Sequence, residues 1–357
     1  MSKLSTNKAH KGAKTHNIKK IDKFLWLYPD PVSVSDGDRV VNALFTDGYV
    51  VIAPVLTSEE CDKVEENISK DLCTMCPKGV LKGTPWSEID RDAMVLDMPQ
   101  ENDLRRTKGF VHSESFWYVR THPLVKKAWE HIYSSDDLVV SLDAGVCGKE
   151  IVDINQTQWL HTDQAPRLAG SEYYMIQGSV IVSNTDPNTS GCTVVVPYSH
   201  HRYQERAKNN NPPHHHWRIG EDVEIAAEAR CIFVPRGGMI LWNSKTLHQG
   251  WTGKRLGFMV CYVPKKWRTE EVRRMKIASY LSGRCNSHWP QYSHGSPYEP
   301  RITKYAYNDL VPKYEETKES KKYLRKTYLP GMKIDDILKL DFDILELLVP
   351  KDRLRLL

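Results

Sequence analysis

The apolar residues of this chain are concentrated in short runs that turn residues separate. Most runs are rich in Val, Ile and aromatic residues and end at Gly, Pro, Asn or Asp, a pattern that predicts β-strands. Short strands separated in this way favour a closed or sandwiched antiparallel sheet. The predicted strands are 48–54, two strands within 137–152 broken at Gly145 and Gly148, 151–160, 173–184 with an interruption at Gly178, 192–196, 234–242 and 256–263.

A second pattern, with apolar residues three or four positions apart, predicts helices before and after the strands. Thr57 or Ser58 caps a helix that extends to about residue 72, and Glu60 stands where a capping box with Thr57 requires it. Further helices are predicted at 39–45, from 122–129 onward, at 269–281 and within 333–348. The chain is therefore predicted to be mainly β with flanking helices, an α+β fold.

Changes of composition along the chain predict three parts. Residues 1–36 form a basic, flexible tail that ends in turn residues, and residues 37–264 form the central domain. Residues 265–357 form a helical extension that packs on the central domain.

Composition limits the class of protein. Hydrophobic residues make up 40% of the chain and charged residues 27%, which is ordinary for a soluble globular protein. No apolar run approaches the roughly 20 residues that span a bilayer, and the N-terminus lacks the apolar segment of a secretory signal. The sequence predicts an intracellular, cytoplasmic protein. A nuclear or peroxisomal location stays open. Lys3, Leu4 and His10 resemble part of a peroxisomal signal, but Lys11 stands where that signal requires a small or apolar residue.

The positive charge is concentrated in the tail. Residues 1–23 hold seven Lys and one Asp, which gives this segment a net charge of +6. The whole chain has a net charge of +5, so the remaining residues carry 5 − 6 = −1. A solvated, disordered arm is the favoured interpretation. Contact with nucleic acid or another acidic surface is the alternative.

The eight Cys are scattered, and Cys231 and Cys261 lie within apolar runs, where a reduced thiol packs as a small hydrophobic group. This usage favours a reducing compartment. Cys73 and Cys76 form a lone CxxC pair without a second pair, which makes a zinc site unfavoured and leaves a redox pair open.

The candidate chemistry lies at His161, Asp163 and His248. On a strand, residues two apart face the same way, so His161 and Asp163 can reach one ion. His248 follows a turn and a buried strand and would supply the third ligand. Two imidazoles and one carboxylate with open positions opposite form the facial triad of non-heme Fe(II) oxygenases. The run His214, His215 and His216 is predicted to be a solvated loop, and His200 and His201 are not predicted to be ligands.

The strings HTD, NTDPNTSGCTVVVPYSHHR, PRGGMILWNSKTLHQG and KRLGFMVCYVP, preceded by FTDGYVVIAPVLTSEECDKVEENI, resemble the phytanoyl-CoA dioxygenase-like family of Fe(II)- and 2-oxoglutarate-dependent oxygenases. The resemblance covers roughly residues 40–264. It implies a double-stranded β-helix, the cupin-like jelly roll, with His161, Asp163 and His248 as iron ligands. It also implies that 2-oxoglutarate and O2 are co-substrates, with ascorbate as a candidate reductant.

The resemblance further implies that Arg255 binds the distal carboxylate of 2-oxoglutarate, because its planar fork matches a carboxylate. Lys254 is the alternative cation, and Gln177 is a candidate contact to the co-substrate. The residues Phe110, His112, Phe116 and Trp117 either line a substrate pocket or pack as ordinary aromatic residues. Asp163 argues against the halogenase variant of the family, which has a small residue at that position.

The predicted reaction is hydroxylation of an unactivated C–H bond in a small-molecule substrate that the sequence does not identify. Two alternatives remain. The protein is an oxygenase acting on nucleic acid or a chromatin protein through its Lys-rich tail, or it is a catalytically silent cupin-like binding module. The oligomeric state is not predicted.

Overall fold

The structure is a computed structural model that describes residues 24–75, 84–89, 104–105, 109–148, 159–164, 175–205, 217–218, 223–251, 253–285, 288–290, 313–327, 329 and 332–357. The run 214–216, the tail 1–23 and Cys76 lie outside the described residues.

Within these residues, one six-stranded sheet is antiparallel except for the parallel pair at one edge. In spatial order it contains β1 (Leu25–Leu27), β10 (Arg230–Ile232), β8 (Cys192–Val195), β12 (His248–Trp251), β6 (His161–Thr162) and β9 (Trp217–Arg218). We call it the first sheet.

The described residues also form a second six-stranded sheet, in which every neighbouring pair of strands is antiparallel. Its strands are β2 (Tyr49–Ile52), β11 (Met239–Asn243), β7 (Ile176–Ile181), β13 (Arg255–Val260), β5 (Gly145–Gly148) and β3 (Leu104–Arg105). A two-stranded sheet pairs β4 (Leu138–Val140) with β14 (Tyr262–Pro264).

The two large sheets pack face to face. Val195 and Ile232 of the first sheet share a buried cluster with Ile181, Ile240 and Trp242 of the second sheet. Because side chains alternate across a strand, this cluster identifies which residues face the space between the sheets. The architecture is therefore a mixed α+β fold with several antiparallel sheets, as the sequence predicted at that level.

Most helices cover the outer face of the second sheet, where they form one large core with the outward residues of β7, β11 and β13. The helix Val223–Glu228 packs instead with Cys192 and Val194 of the first sheet. The helices are α1 (Gly37–Asp47), α2 (Ser58–Met75), α3 (Glu114–Thr121), α4 (Pro123–Tyr133), α5 (Val223–Glu228), α6 (Glu270–Leu281), α7 (Lys318–Leu324), α8 (Ile334–Ile337), α9 (Phe342–Leu348) and α10 (Lys351–Leu354). The predicted capping box is present at α2, since the Thr57 side chain accepts from the Glu60 backbone N–H at 3.2 Å and the Glu60 side chain accepts from the Thr57 N–H at 2.8 Å.

Two predicted strand breaks are wrong. Gly178 does not interrupt β7, because it pairs with Leu241 on one side and with Val260 on the other. Its lack of a side chain serves close packing, since a β-carbon there would lie 2.6 Å from Leu241 Cδ2. The break in 137–152 falls at 141–144, and Gly145 begins β5.

Residues before and after the sheets also join the core. Residues 24–36, which the sequence assigned to the tail, include β1 and the buried residues Phe24, Val32 and Val34. From the C-terminal extension, α6 buries Ile277 and Leu281 in the same core as α3 and α4. Among the described helices, none has the length and apolarity needed to cross a membrane.

Candidate metal centre

His161 and His248 lie directly opposite each other on neighbouring strands of the first sheet. The register pairs His161 of β6 with His248 of β12, and the ring centroids are 4.5 Å apart. His248 also pairs with Val195, whose side chain belongs to the cluster between the sheets. Both imidazoles therefore face the space between the sheets.

Asp163 follows β6 directly and is held in place by the end of β11. Its backbone N–H donates to the carbonyl of Ser244 at 3.1 Å, and the Ser244 hydroxyl donates to the side chain of the next residue, Gln164, at 2.9 Å. These two hydrogen bonds orient the Asp163 carboxylate toward the two imidazoles. Oδ1 lies 3.4 Å from His161 Nε2, and Oδ2 lies 3.2 Å from His248 Nε2.

One ligand atom from each of His161, Asp163 and His248 lies within 4.8 Å of the others. The three side chains are at most 12% exposed. Two nitrogen donors and one carboxylate oxygen at this separation fit a first-row transition metal, and this donor set is that of the facial triad.

The ring protonation of the two histidines is set by the backbone. His161 Nδ1 lies 3.2 Å from the carbonyl oxygen of Trp159, and His248 Nδ1 lies 2.9 Å from that of Thr246. A carbonyl oxygen only accepts, so each Nδ1 donates, and a neutral ring then has an unprotonated Nε2. Burial and the proximity of His248 lower the pKa of His161, which favours the neutral form.

The two Nε2 atoms and the Asp163 carboxylate converge on one point. Because both Nδ1 atoms contact backbone carbonyls, the Nε2 atoms are the ones directed at that point as ligands. A cation bound among the three atoms would stabilise this arrangement. Each side chain is oriented as a ligand by its own hydrogen bond.

Asp163 has two further neighbours, Gln177 of β7 and His288 of the C-terminal extension. Gln177 Nε2 donates to Asp163 Oδ2 at 2.8 Å, and His288 Nε2 lies 3.8 Å from the same oxygen. Burial alone would raise the pKa of Asp163, but the imidazoles of His288 and His161 outweigh it and hold that pKa well below its usual range. The carboxylate is therefore ionised.

Arg255, the predicted partner of the co-substrate, begins β13 and is 8% exposed. Gly257, two residues on, pairs with Ile181 of the cluster between the sheets, so Arg255 faces the same space. The charge of Lys254 opposes the effect of burial on the pKa of Glu65, a residue of α2, and α2 packs on the outer face of the second sheet. The orientation favours Arg255 over Lys254 as the inward cation.

Room for a ligand exists beside the triad at Gly250. Gly250 shares its strand face with His248, and among the described residues a β-carbon there would meet only Trp159 Cζ2, at 3.8 Å. Trp159 stacks on His161 with ring centroids 4.7 Å apart. Two polar atoms buried between the sheets, Ser179 Oγ and Trp242 Nε1, have no hydrogen-bond partner in the part of the chain that the structure describes. A polar ligand in this space would satisfy them.

Other residues singled out in the sequence lie away from the triad. His200 Nε2 and His201 Nε2 bond the carbonyl oxygens of Phe45 and Thr46, each at 2.8 Å. The predicted pocket aromatics Phe110 and Phe116 are fully buried in the core outside the second sheet, and Phe116 packs edge-on against Phe258 of β13. His112 and Trp117 pack there too, against Tyr280. For these four residues the packing alternative is the correct one.

Sequence reasoning missed His288 and the role of Trp159. His288 lies in an aromatic loop far from the triad in sequence, and no spacing rule connects it to Asp163. The contact of Trp159 with His161 could have been predicted, because residues two positions apart on a strand share a face.

Comparison with known proteins places the chain in a family. The model of the phytanoyl-CoA dioxygenase (PhyH) family matches residues 45–252, a stretch that contains His161, Asp163 and His248 and ends before Arg255. A curated relative, "Ava biosynthesis cluster protein O" of Aspergillus versicolor, is 25% identical over 201 residues. That match covers 51% of this chain and 65% of the relative, so the chain spans less than two thirds of it.

Solved structures of non-heme enzymes are also similar, at low identity. The α-ketoglutarate-dependent carbocyclase SnoK from nogalamycin biosynthesis is 14% identical, with 66% of this chain and 87% of that chain covered and a TM-score of 0.43. The non-heme monooxygenase ThoJ is 16% identical, with 63% and 77% covered and a TM-score of 0.43. The epimerase SnoN is 14% identical, with 64% and 83% covered and a TM-score of 0.39. Because the family match extends over more than half of the chain and contains all three residues of the triad, the chain belongs to the phytanoyl-CoA dioxygenase (PhyH) family.

Proposed function

We propose that this protein is an Fe(II)- and 2-oxoglutarate-dependent dioxygenase that hydroxylates an unactivated C–H bond of a small molecule, with His161, Asp163 and His248 as the iron ligands. The observation that carries the proposal is the convergence of the Nε2 atoms of His161 and His248 and a carboxylate oxygen of Asp163 within 4.8 Å of one another, with both Nδ1 atoms directed at backbone carbonyls. Family membership supports the oxygenase class, and the donor set supports iron.

Bound Fe(II) would supply, with 2-oxoglutarate and O2, the oxidant for the C–H bond, while 2-oxoglutarate is converted to succinate and carbon dioxide and one oxygen atom becomes the substrate hydroxyl. The side chains provide geometry. The Nδ1 hydrogen bonds fix the plane of each imidazole, and Ser244 and Gln177 fix the carboxylate. Ascorbate would serve as a reductant from outside.

The space between the sheets supports a dicarboxylate beside the metal. Gly250 leaves it open near His248, and Ser179 Oγ and Trp242 Nε1 offer hydrogen bonds to a polar ligand. Arg255 begins β13 shortly after the end of β12 that is farther from His248, and the three residue steps of β12 extend over roughly 10 Å at about 3.3 Å per residue. A five-carbon dicarboxylate and an extended arginine side chain together span such a gap. Arg255 would therefore bind the distal carboxylate, and Gln177 stays a candidate contact to the co-substrate from its position beside Asp163.

We also propose that the two face-to-face sheets form the jelly roll of the family, the double-stranded β-helix. The cluster between the sheets and the repeated crossing of the chain from one sheet to the other, as from β10 to β11, β11 to β12 and β12 to β13, support this assignment. The division into a sheet domain that ends at 264 and an extension 265–357 remains a proposal of the same kind, and β1 adds residues before 37 to the sheet domain.

The test is a screen for succinate release by Fe(II)-loaded protein against pools of small molecules, with Asp163→Ala as the inactive variant. His201→Ala is a matched control, because it removes an exposed imidazole that bonds the Thr46 carbonyl away from the triad. Succinate formed by wild type and His201→Ala but not by Asp163→Ala supports the proposal. Turnover that persists in Asp163→Ala contradicts it. Intact metal binding without turnover in any pool would favour the silent binding module.

A further inference from the structure

The C-terminal extension reaches the metal centre through a short segment, 288–290, that lies beyond the stretch matched by the family. Trp289 anchors this segment, since it is 2% exposed and packs with Val139, Met175, Cys261 and Val263. Met175 is two residues before Gln177, so the anchor lies beside the end of β7 that contacts Asp163. An anchored tryptophan next to His288 fixes where that imidazole can lie.

His288 is directed at one oxygen of the triad. Its Nε2 lies 3.8 Å from Asp163 Oδ2, and its side chain is 19% exposed. The separation is within ion-pair reach and roughly 0.8 Å longer than a typical N–H···O hydrogen bond. Gln177 Nε2 bonds the same oxygen at 2.8 Å. Oδ2 thus accepts a hydrogen bond from the second sheet and also lies near an imidazole of the C-terminal extension.

The two oxygens of Asp163 therefore have different surroundings. Each oxygen lies near one imidazole of the triad, Oδ1 at 3.4 Å from His161 Nε2 and Oδ2 at 3.2 Å from His248 Nε2, and Gln177 and His288 approach Oδ2 as well. A carboxylate that binds a metal through both oxygens takes two coordination positions, whereas the facial triad requires positions left open for co-substrate and O2. Hydrogen-bond partners on Oδ2 occupy part of its capacity to accept, which favours a carboxylate that takes one coordination position rather than two.

We propose that His288 is a positioning residue of the metal centre: together with Gln177 it holds Oδ2 and so fixes the orientation in which the Asp163 carboxylate meets the metal. This inference rests on the proposed function. It makes the extension part of the active site, because the imidazole that completes the surroundings of Asp163 comes from it.

The experiment titrates the metal-free full chain with Co(II) and follows the d–d absorbance, in wild type, His288→Ala, His288→Gln and His201→Ala. Loss of an outer partner of a metal ligand typically weakens metal binding about 10- to 100-fold. We expect His288→Ala to weaken Co(II) binding by about tenfold or more. His288→Gln should regain most of it, since its amide nitrogen can occupy the place of Nε2. His201→Ala should match wild type, and thermal unfolding of the metal-free variants should be unchanged.

Two results would overturn the inference. Equal Co(II) affinity in His288→Ala and wild type would show that the imidazole does not act on Asp163. Equal losses in His288→Ala and His288→Gln, with shifted d–d bands in both, would show that His288 binds the metal itself. Failure of the proposed function is distinguishable, because Asp163→Ala and His248→Ala would then keep wild-type affinity for Co(II).

Discussion

The side-chain amide of Gln177 donates a 2.8 Å hydrogen bond to Oδ2 of Asp163, and this bond joins the second sheet to a candidate metal ligand carried by the first. Gln177 lies in β7 between β11 and β13, in the middle of its sheet. The carboxylate is therefore oriented by a rigid central strand rather than by its own loop alone.

Replacing Gln177 by Leu should weaken metal binding by about 10- to 100-fold, because the shape of the side chain is kept while the donor to Asp163 is lost. Co(II) titration of the metal-free protein measures this. Ser179→Ala is the matched control, since it alters a polar residue on the same face of β7 whose hydroxyl has no partner among the described residues. A Gln177→Leu variant with wild-type affinity would mean that the bond does not orient the ligand.

The variants His161→Ala, Asp163→Ala and His248→Ala should each lose Fe(II)-dependent turnover and Co(II) binding while the fold stays intact, because these groups serve an open site and not the core. Metal titration and circular dichroism check the two statements separately. Changing His214, His215 and His216 together to Ala should cost nothing comparable. A residue whose loss leaves turnover unchanged is not a ligand.

Arg255→Ala should reduce the affinity for 2-oxoglutarate by about thirtyfold or more and leave metal affinity unchanged. Breaking a charge-assisted contact in a desolvated pocket costs about 2–5 kcal/mol, and about 1.4 kcal/mol corresponds to tenfold. Arg255→Lys should recover part of the loss, because a point charge lacks the fork. The measurement is a 2-oxoglutarate titration of the anaerobic Fe(II) complex by its metal-to-ligand absorbance. Lys254→Ala is the control, and a collapse there with normal affinity in Arg255→Ala would identify Lys254 as the cation.

Gly250→Val should also weaken 2-oxoglutarate binding without weakening metal binding. Its side chain would enter the space that is open beside Trp159, so the variant should fold normally while the co-substrate is excluded. Gly178→Val is a contrasting variant, because a β-carbon there lies 2.6 Å from Leu241 and the protein should be destabilised instead. Unchanged 2-oxoglutarate affinity in Gly250→Val would place the co-substrate elsewhere.

Acid should destabilise the protein through His112. Burial lowers the pKa of His112 from its ordinary 6.5 to about 3, while the unfolded chain keeps the ordinary value. Between these two values the unfolded state binds more protons, so the free energy of unfolding falls as the pH falls below about 6.5. The loss at about pH 5 is roughly 2 kcal/mol for this one group.

The variant His112→Gln tests this, since its amide can still donate to the Arg284 carbonyl, which lies 2.8 Å from His112 Nε2, but does not titrate. Denaturant unfolding at about pH 7 and pH 5 should show a stability loss roughly 2 kcal/mol smaller in the variant. Parallel pH dependence in the two proteins would mean that His112 is protonated in the folded state.

Several features followed from the sequence by itself because they depend on neighbours along the chain. The capping box joins Thr57 and Glu60, three positions apart, and His161 and Asp163 are near each other because they are two positions apart. The direction of the Asp163 carboxylate is not local, because β6 ends at Thr162 and Ser244 holds the Asp163 backbone. The α+β class, the family and the choice of His161, Asp163 and His248 as candidates rested on such local patterns and on motif order. None of these predictions depends on knowing which strands pair.

What the tertiary structure decided depends on strand order and on contacts between distant parts of the chain. Gly178 was predicted to break a strand, yet its missing side chain admits Leu241 and Trp129 from other elements. Gln177 meets Asp163 because two sheets pack face to face, and His288 reaches the same oxygen because Trp289 is buried beside β7. No periodicity in the sequence encodes these approaches, since they arise only when the whole chain has folded around one core.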